Sequence, residues 1–131
     1  MKPRYQAALA AVLSFWLFGP ASIAQELNLS NKWRIEFDST AKSDGKIVFQ
    51  LTPKGGQPQV VSVPIASGRT ENSVAQDVKN GFKAALDKKG FHVEVDDGED
   101  VLVKRRGKTP DFELKLVEST VTNVRINIRK E

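Results

Sequence analysis

The segment that decides the fold is VVSVPIASGRTENSVAQDVKNGFKAALDKKGFHVEV, residues 60–95. Its apolar side chains first alternate with polar ones, as in a strand with one buried face. They then recur every three or four residues, as in an amphipathic helix. The helical stripe consists of Val74, Val78, Phe82, Ala85 and Leu86. Because the alternation returns at residue 91, the segment predicts a strand, one helix and a second strand.

The predicted helix has recognisable ends. Thr70 is a favourable N-cap residue, and the cations of Lys88-Lys89 suit the negative C-terminal end of the helix dipole. We expect Gly90 to take the left-handed conformation that ends many helices. Gly81 inside the helix costs about 0.5–1 kcal/mol relative to alanine, and we expect it to let a strand approach the helix closely.

Alternating runs on both sides of this segment predict the remaining strands. All the predicted strands together cover residues 32–38, 46–52, 59–65, 91–95, 101–106, 112–117 and 121–129. Pro64 lacks a backbone N–H, which places the third strand at a sheet edge or turns that backbone position towards solvent. The prediction is an α+β fold in the order β-β-β-α-β-β-β-β. We expect a mostly antiparallel sheet of about six to seven strands, with the amphipathic helix packed on one face.

The N-terminal residues 1–24 have the features of a signal peptide. Lys2 and Arg4 precede an apolar run over residues 7–18, and Ser22 and Ala24 provide small side chains before a cleavage site. Cleavage there leaves a single domain, residues 25–131, with no further apolar segment for membrane insertion. The expected location is the periplasm or the extracellular space.

The charge and the absence of cysteine limit the possible functions. Removing the leader's two cations leaves 18 cations and 16 acids, a net charge of +2, which does not favour nucleic acid as a partner. A chain with no cysteine has no disulfide and no thiolate metal site. Exported eukaryotic domains of this size often carry disulfides, so a bacterial source is favoured.

An acidic cluster follows the fourth predicted strand. If Asp96-Asp97-Gly98 forms a three-residue hairpin loop, Val93 pairs with Val101 and Phe91 pairs with Val103. The same register places Glu94 opposite Asp100, where like charges repel. The alternative is a divalent-cation site formed by Glu94, Asp96, Glu99 and Asp100. The spacing does not match an EF-hand loop, so we interpret the cluster as a turn.

Catalytic motifs are weak in this sequence. His92 is the single histidine and lies on the polar side of a strand, so we interpret it as a surface residue. Ser39–Lys42 fits the S-x-x-K pattern of penicillin-recognising enzymes, in which a lysine activates a serine nucleophile, but it lies in a polar loop rather than at the start of a buried helix. We therefore assign no catalytic residue and predict no cofactor.

The segment from Val60 to Leu86 resembles the strand, G-x-T and helix modules of contractile phage-tail proteins and of large bacterial surface proteins. The matching residues are Gly68 and Thr70, followed by a helix with the pattern V-A-x-x-V at Val74. The resemblance implies that the strand packs against the helix, and it assigns no functional residue. An N-terminal signal peptide departs from the phage-tail proteins, which assemble in the cytoplasm.

The polar face of the sheet is the predicted interaction surface. Its members are Arg34, Glu36, Glu113, Lys115, Arg125 and Arg129. We expect an exported, non-catalytic domain that binds another exported protein or an envelope polymer through this face or through an open sheet edge. A small hydrolase that uses surface carboxylates and a domain that responds to divalent cations are the alternatives. The sequence does not determine the oligomeric state.

Overall fold

A computed structural model describes residues 26–131. The predicted signal peptide, residues 1–24, lies outside the described residues. The elements are β1 (Lys32–Asp38), β2 (Gly45–Pro53), β3 (Gln59–Ile65), α1 (Glu71–Ala85), β4 (Phe91–Asp96), β5 (Asp100–Arg105), β6 (Phe112–Ser119) and β7 (Arg125–Lys130). The predicted α+β class and element order are therefore confirmed. Within residues 26–131, no helix has the length and apolar character needed to cross a membrane.

The seven strands form two antiparallel sheets rather than one. One sheet has the order β4-β5-β1-β7, and the other has the order β3-β2-β6. Strand alternation determines which side chains are buried, but it does not determine which strands pair, so the division was not predictable from the alternation. Pro64 lies on β3, at an edge of the three-stranded sheet, as predicted.

Both sheets and the helix contribute to one apolar core. The largest fully buried side chains come from every layer: Phe37 from the four-stranded sheet, Phe49 and Phe112 from the three-stranded sheet, and Phe82 from α1. The rings of Phe49 and Phe82 lie 5.1 Å apart between centroids. Helix α1 contacts β3 of one sheet and β1, β4 and β5 of the other. It therefore closes the space between the sheets on the side where β3 and β4 are the edge strands.

The helix begins as predicted and ends earlier than predicted. The Thr70 side chain accepts a hydrogen bond from the Ser73 N–H, which confirms Thr70 as the N-cap. The C-cap is Leu86, which has a buried side chain and an extended backbone conformation, so Lys88-Lys89 lie beyond the helix. The prediction that Gly90 ends the helix is wrong. Gly90 instead belongs to a turn in which its N–H donates to the Asp87 carbonyl at 3.0 Å.

The β4–β5 hairpin differs from the predicted register. Its loop is residues 97–99, so Val93 pairs with Val103 and Val95 pairs with Val101. The two strands keep the predicted matching of apolar faces, but the pairing has moved by two residues. The cause is Asp97, which adopts a φ of 52° beside Gly98 at 81° and leaves Asp96 within β4.

The close approach of α1 to β3 gives a stability prediction. A Cβ atom added at Gly81 would lie 2.6 Å from Cγ2 of Val63, which confirms the expected close packing of a strand. We expect Gly81→Ala to lower the free energy of unfolding by about 1–3 kcal/mol, because this overlap outweighs the helix propensity of alanine.

Urea unfolding of the variant protein measures this effect. Asn80→Ala is the matched control, since Asn80 is an exposed neighbour in the same helix. It should leave stability unchanged or raise it by about 0.5 kcal/mol. A Gly81→Ala protein as stable as Asn80→Ala would contradict the close-packing argument.

Candidate functional site

The outer face of the four-stranded sheet is organised around Arg34. This side chain is only 11% exposed. Its guanidinium lies 3.9 Å from the carboxylate of Asp97 and donates hydrogen bonds to three other carboxylates. The distances are 2.9 Å to Asp96, 2.5 Å to Asp100 and 2.9 Å to Glu131. The Arg34 cluster, meaning Arg34 with these three carboxylates, therefore joins β1 to both strands of the acidic hairpin and to the residue that follows β7.

The register explains why these acids meet. Asp96 pairs directly with Asp100 across the hairpin, and Arg34 lies on the adjacent strand β1. Two carboxylates facing each other across strands repel, and a guanidinium between them removes the repulsion. The cation that the acidic hairpin requires is supplied by the protein itself.

The four residues of the predicted cation site do not converge on one point. Asp96 and Asp100 bind Arg34, whereas Glu94 Oε2 lies 3.3 Å from Nε2 of His92. The Glu99 carbonyl accepts the Phe37 N–H at 3.2 Å. Among residues 26–131, no group of three or more histidine, aspartate or glutamate side chains is arranged to hold a metal ion.

The pKa shifts in this cluster favour its charged forms. Hydrogen bonds from Arg34 to Glu131, Asp100 and Asp96 raise the pKa of the Arg34 guanidinium above its usual value. The hydrogen bond from Arg34 lowers the pKa of the Glu131 carboxyl. At Arg69, a similar contact with Asp77 raises the pKa of the guanidinium. These hydrogen bonds favour the charged forms of Arg34, Arg69 and Glu131.

The six residues of the predicted interaction surface lie on two sheets. Arg34, Glu36, Arg125 and Arg129 belong to the four-stranded sheet, where Glu36 binds Arg129 and Asp38 binds Arg125. Glu113 and Lys115 lie on β6 of the three-stranded sheet, 3.4 Å apart. The prediction of one shared face is therefore corrected, because the strands that carry these residues are not in the same sheet.

A groove lined by both apolar and polar side chains lies between β6 and β7. It has a volume of about 380 Å³. Its apolar lining is Trp33, Leu114, Leu116, Ile126 and Ile128, and its polar lining is Asn28, Glu113 and Lys115. We name this feature the β6–β7 groove. Ile126 and Ile128 are only half-buried, because no element covers them in the described part of the chain.

The edge of β6 that faces the groove is open over most of its length. At its start, Ser30 and Phe112 exchange two backbone hydrogen bonds of 2.9 Å, so the chain before β1 occupies this position as a short strand would. Backbone direction alternates along a strand, which directs the N–H and C=O groups of Leu114 and Leu116 towards the same open edge. A bulge then interrupts the pairing with β2, and Val117 beside it is 55% exposed.

The two catalytic motifs considered in the sequence lie away from the groove. Ser39 and Lys42 are in the loop between β1 and β2, and the Ser39 N–H donates to Glu71 Oε2 at 3.1 Å. His92 lies near the start of β4, where its side chain is partly exposed. The structure does not bring the serine, the lysine and the histidine into one site.

Comparison with known protein families finds no family that matches the chain, and comparison with characterised proteins finds no significant match. The geometry of the described residues is therefore the basis for the functional proposals.

The Arg34 cluster predicts an unequal response to loss of two arginines. We expect Arg34→Met to lower the free energy of unfolding by about 2–4 kcal/mol, because it leaves Asp96 and Asp100 facing each other without a cation. Arg125→Met is the control, since Arg125 is 76% exposed in its pair with Asp38 and should cost less than about 1 kcal/mol. Urea unfolding measures the free energy of unfolding of both variants. Equal decreases would show that the Arg34 cluster stabilises the fold no more than a surface ion pair does. The double variant Arg34→Met with Asp100→Asn should recover part of the loss.

The lowered pKa of Glu131 predicts a pH-dependent contribution to stability. A carboxyl with a lower pKa in the folded protein stabilises it above the ordinary glutamate value of 4.5, and this contribution is lost as the pH falls through the folded-state pKa. Wild type should therefore be more stable than Glu131→Gln at neutral pH, and the difference should shrink below pH 4.5. Thermal unfolding at several pH values measures this difference. A constant difference over the whole range would contradict the assigned contact with Arg34.

Proposed function

We propose that this protein is a non-catalytic binding module, exported from a bacterium, that binds an extended segment of another protein along the open edge of β6. The observation that carries the proposal is the combination of an unpaired strand edge with the β6–β7 groove beside it, which has both apolar and polar lining residues. A strand edge supplies backbone hydrogen bonds to an added strand, and the adjacent groove accepts alternate side chains. The predicted signal peptide supports the exported location.

The edge already binds an extended segment within the same molecule. The Ser30–Phe112 bridge uses the first outward-facing backbone groups of β6, and the Asn28 N–H donates a hydrogen bond of 2.9 Å to the side-chain Oε2 of Glu113. The next outward-facing groups, at Leu114 and Leu116, continue in the same line. A docked strand would therefore extend a pairing that the fold has begun.

The lining of the groove defines the pattern of the bound segment. Apolar side chains at alternate positions would contact Leu116, Ile126 and Ile128 in the groove. The intervening side chains would face solvent beside Lys115 of β6 and Arg129 of β7. These cations pair with Glu113 and Glu36 at the surface, and an acidic residue of the bound segment would share them. The proposed partner is an extended segment in which apolar and acidic residues alternate.

The charged groups of the domain support binding rather than catalysis. The buried acids Asp100 and Glu113 contact Arg34 and Lys115, respectively. A general acid or base requires a group free to exchange a proton with a substrate, and these acids are held in ion pairs. The contacts described above therefore do not favour the hydrolase alternative.

A synthetic peptide tests the proposed binding mode. The probe is a blocked peptide of about seven residues in which valine and aspartate alternate, and its control replaces aspartate by lysine. In ¹H–¹⁵N NMR titrations, we expect the aspartate peptide to shift the amides of Leu114, Leu116, Ile126 and Ile128. It should bind at least about threefold more tightly than the lysine peptide.

A pair of matched variants identifies the binding edge. Leu116→Asp should weaken binding of the valine–aspartate peptide by about tenfold, through loss of an apolar contact and addition of a like charge. Val60→Asp makes a similar change on the exposed edge strand β3 and should have no effect. If Leu116→Asp lowers stability, Val117→Asp replaces it, because that side chain is more exposed. Amide shifts along β3 instead of β6, or equal binding by both variants, would refute the proposed site.

A further inference from the structure

A second pocket lies at the other end of the helix from Thr70. It has a volume of about 290 Å³ and lies between the end of α1, the start of β4 and the turn after β5. Its cationic and titratable lining is Lys83, Lys88, His92 and Arg106, and its apolar lining includes Leu86 and Phe91. We name it the Arg106 pocket. It lies apart from the β6–β7 groove and shares no lining residue with it.

Arg106 differs from the other arginines of the described chain. Five arginines in residues 26–131 each contact a carboxylate: Arg34, Arg69, Arg105, Arg125 and Arg129. Arg106 contacts two uncharged acceptors instead, the Lys88 carbonyl at 3.1 Å and His92 Nδ1 at 2.7 Å. Its charge is therefore not neutralised by an acid among the described residues.

Neighbouring groups hold the Arg106 guanidinium in a fixed direction. A guanidinium only donates hydrogen bonds, so His92 Nδ1 accepts and the imidazole hydrogen lies on Nε2. That nitrogen faces Glu94 Oε2 at 3.3 Å, which completes a chain from Glu94 through His92 to Arg106. A guanidinium has five N–H donors, and two of them are used in these contacts. The remaining donors are available to a ligand.

The charge around the pocket is positive. Lys83 and Lys88 are exposed and form no ion pair with the described residues, and the same is true of Lys89 in the adjacent turn. Of the nearby acids, Glu94 contacts His92, and the Asp87 carboxylate accepts the Lys89 N–H at 3.1 Å. A site with one oriented guanidinium and two lysines favours an anion with several acceptor oxygens.

We propose that the Arg106 pocket binds a phosphate group that is attached to an apolar moiety. The phosphate oxygens receive paired hydrogen bonds from Arg106, and Lys83 and Lys88 add charge attraction. The apolar moiety packs against Leu86 and Phe91. Two lysines beside an arginine match the charge of a phosphate better than the single charge of a carboxylate. A soluble phosphate ester and a phospholipid headgroup share this chemistry.

Titration of the purified protein with defined probes tests this proposal. The probes are inorganic phosphate, phenyl phosphate and acetate, followed by the Arg106 side-chain N–H signal and the amides of Lys88 and His92 in ¹H–¹⁵N NMR spectra. We expect phenyl phosphate to bind at least about threefold more tightly than inorganic phosphate, because its ring contacts the apolar lining. Acetate binding as tight as that of phosphate would overturn the assignment to a phosphate group.

Charge-matched variants separate a specific site from general attraction. Arg106→Gln should weaken phenyl phosphate binding by at least about tenfold, since it removes the oriented donors. Lys54→Gln removes one exposed charge from the β2–β3 turn and should leave binding unchanged. Equal weakening by both variants, or no shift at Arg106 at phenyl phosphate concentrations of about 10 mM, would overturn the proposal. Arg106→Lys should recover part of the affinity if Arg106→Gln acts through lost charge rather than altered structure.

Vesicle flotation distinguishes the two sources of phosphate. Binding to vesicles that contain phosphatidylglycerol, without binding to phosphatidylcholine vesicles and with loss in Arg106→Gln, identifies a lipid headgroup. Binding of phenyl phosphate without vesicle binding identifies a soluble ester. Failure of both overturns the Arg106 pocket and leaves the peptide titration at β6 unaffected, so the two sites are tested independently.

Discussion

Within residues 26–131, the single helix α1 covers the apolar core between the two sheets only on the side of the edge strands β3 and β4, and the opposite edge strands, β6 and β7, are left without a helix. Helix α1 lies against β3 and β4, where Gly81 permits close contact with Val63. On the opposite side, β6 and β7 have no second helix between them in the described chain. The chain before β1 covers the start of β6, through the backbone of Ser30 and through Asn28. The open groove is therefore the direct result of a sandwich with a cover on one side.

The charged residues differ between the two ends of α1. The acids of the β4–β5 hairpin lie at the end where α1 begins, and Arg34 neutralises two of them. The hairpin is thus held to β1 by an internal ion-pair network, which explains a local excess of acid without an external ligand. At the other end of α1, Arg106 has no such partner among the described residues. The contrast between these two arginines distinguishes a structural cation from one that is available for recognition.

The sequence predicted those features that depend on local chemistry. Alternation placed every described strand, Thr70 indicated the start of the helix, and Pro64 indicated an edge strand. The alternation did not predict the burial of Arg34 and Glu113, which were expected on the polar face. The end of the helix was missed because burial of Leu86 in an extended conformation ended the helix before Gly90. The hairpin register was missed by two residues because Asp97, a non-glycine residue, adopted a left-handed conformation.

The candidate sites depend on contacts between residues that are distant in the sequence, so they were harder to predict than the strands and the helix. In the sequence, Arg34 and Arg106 both look like ordinary cations on the surface of a strand. Only the structure shows that Arg34 binds Asp96 and Asp100, whereas Arg106 contacts His92. The β6–β7 groove requires knowledge of which strands end each sheet. Local periodicity does not contain that information, since the same alternation fits a central strand and an edge strand.

The bulge beside Val117 has a consequence for the durability of any complex formed at β6. Regular strand geometry ends there, so a docked segment can use only the short stretch between Ser30 and the bulge. A contact with so few hydrogen bonds exchanges quickly. Lasting attachment would therefore require several copies of the module acting together on a repetitive target, where avidity compensates for a weak individual contact.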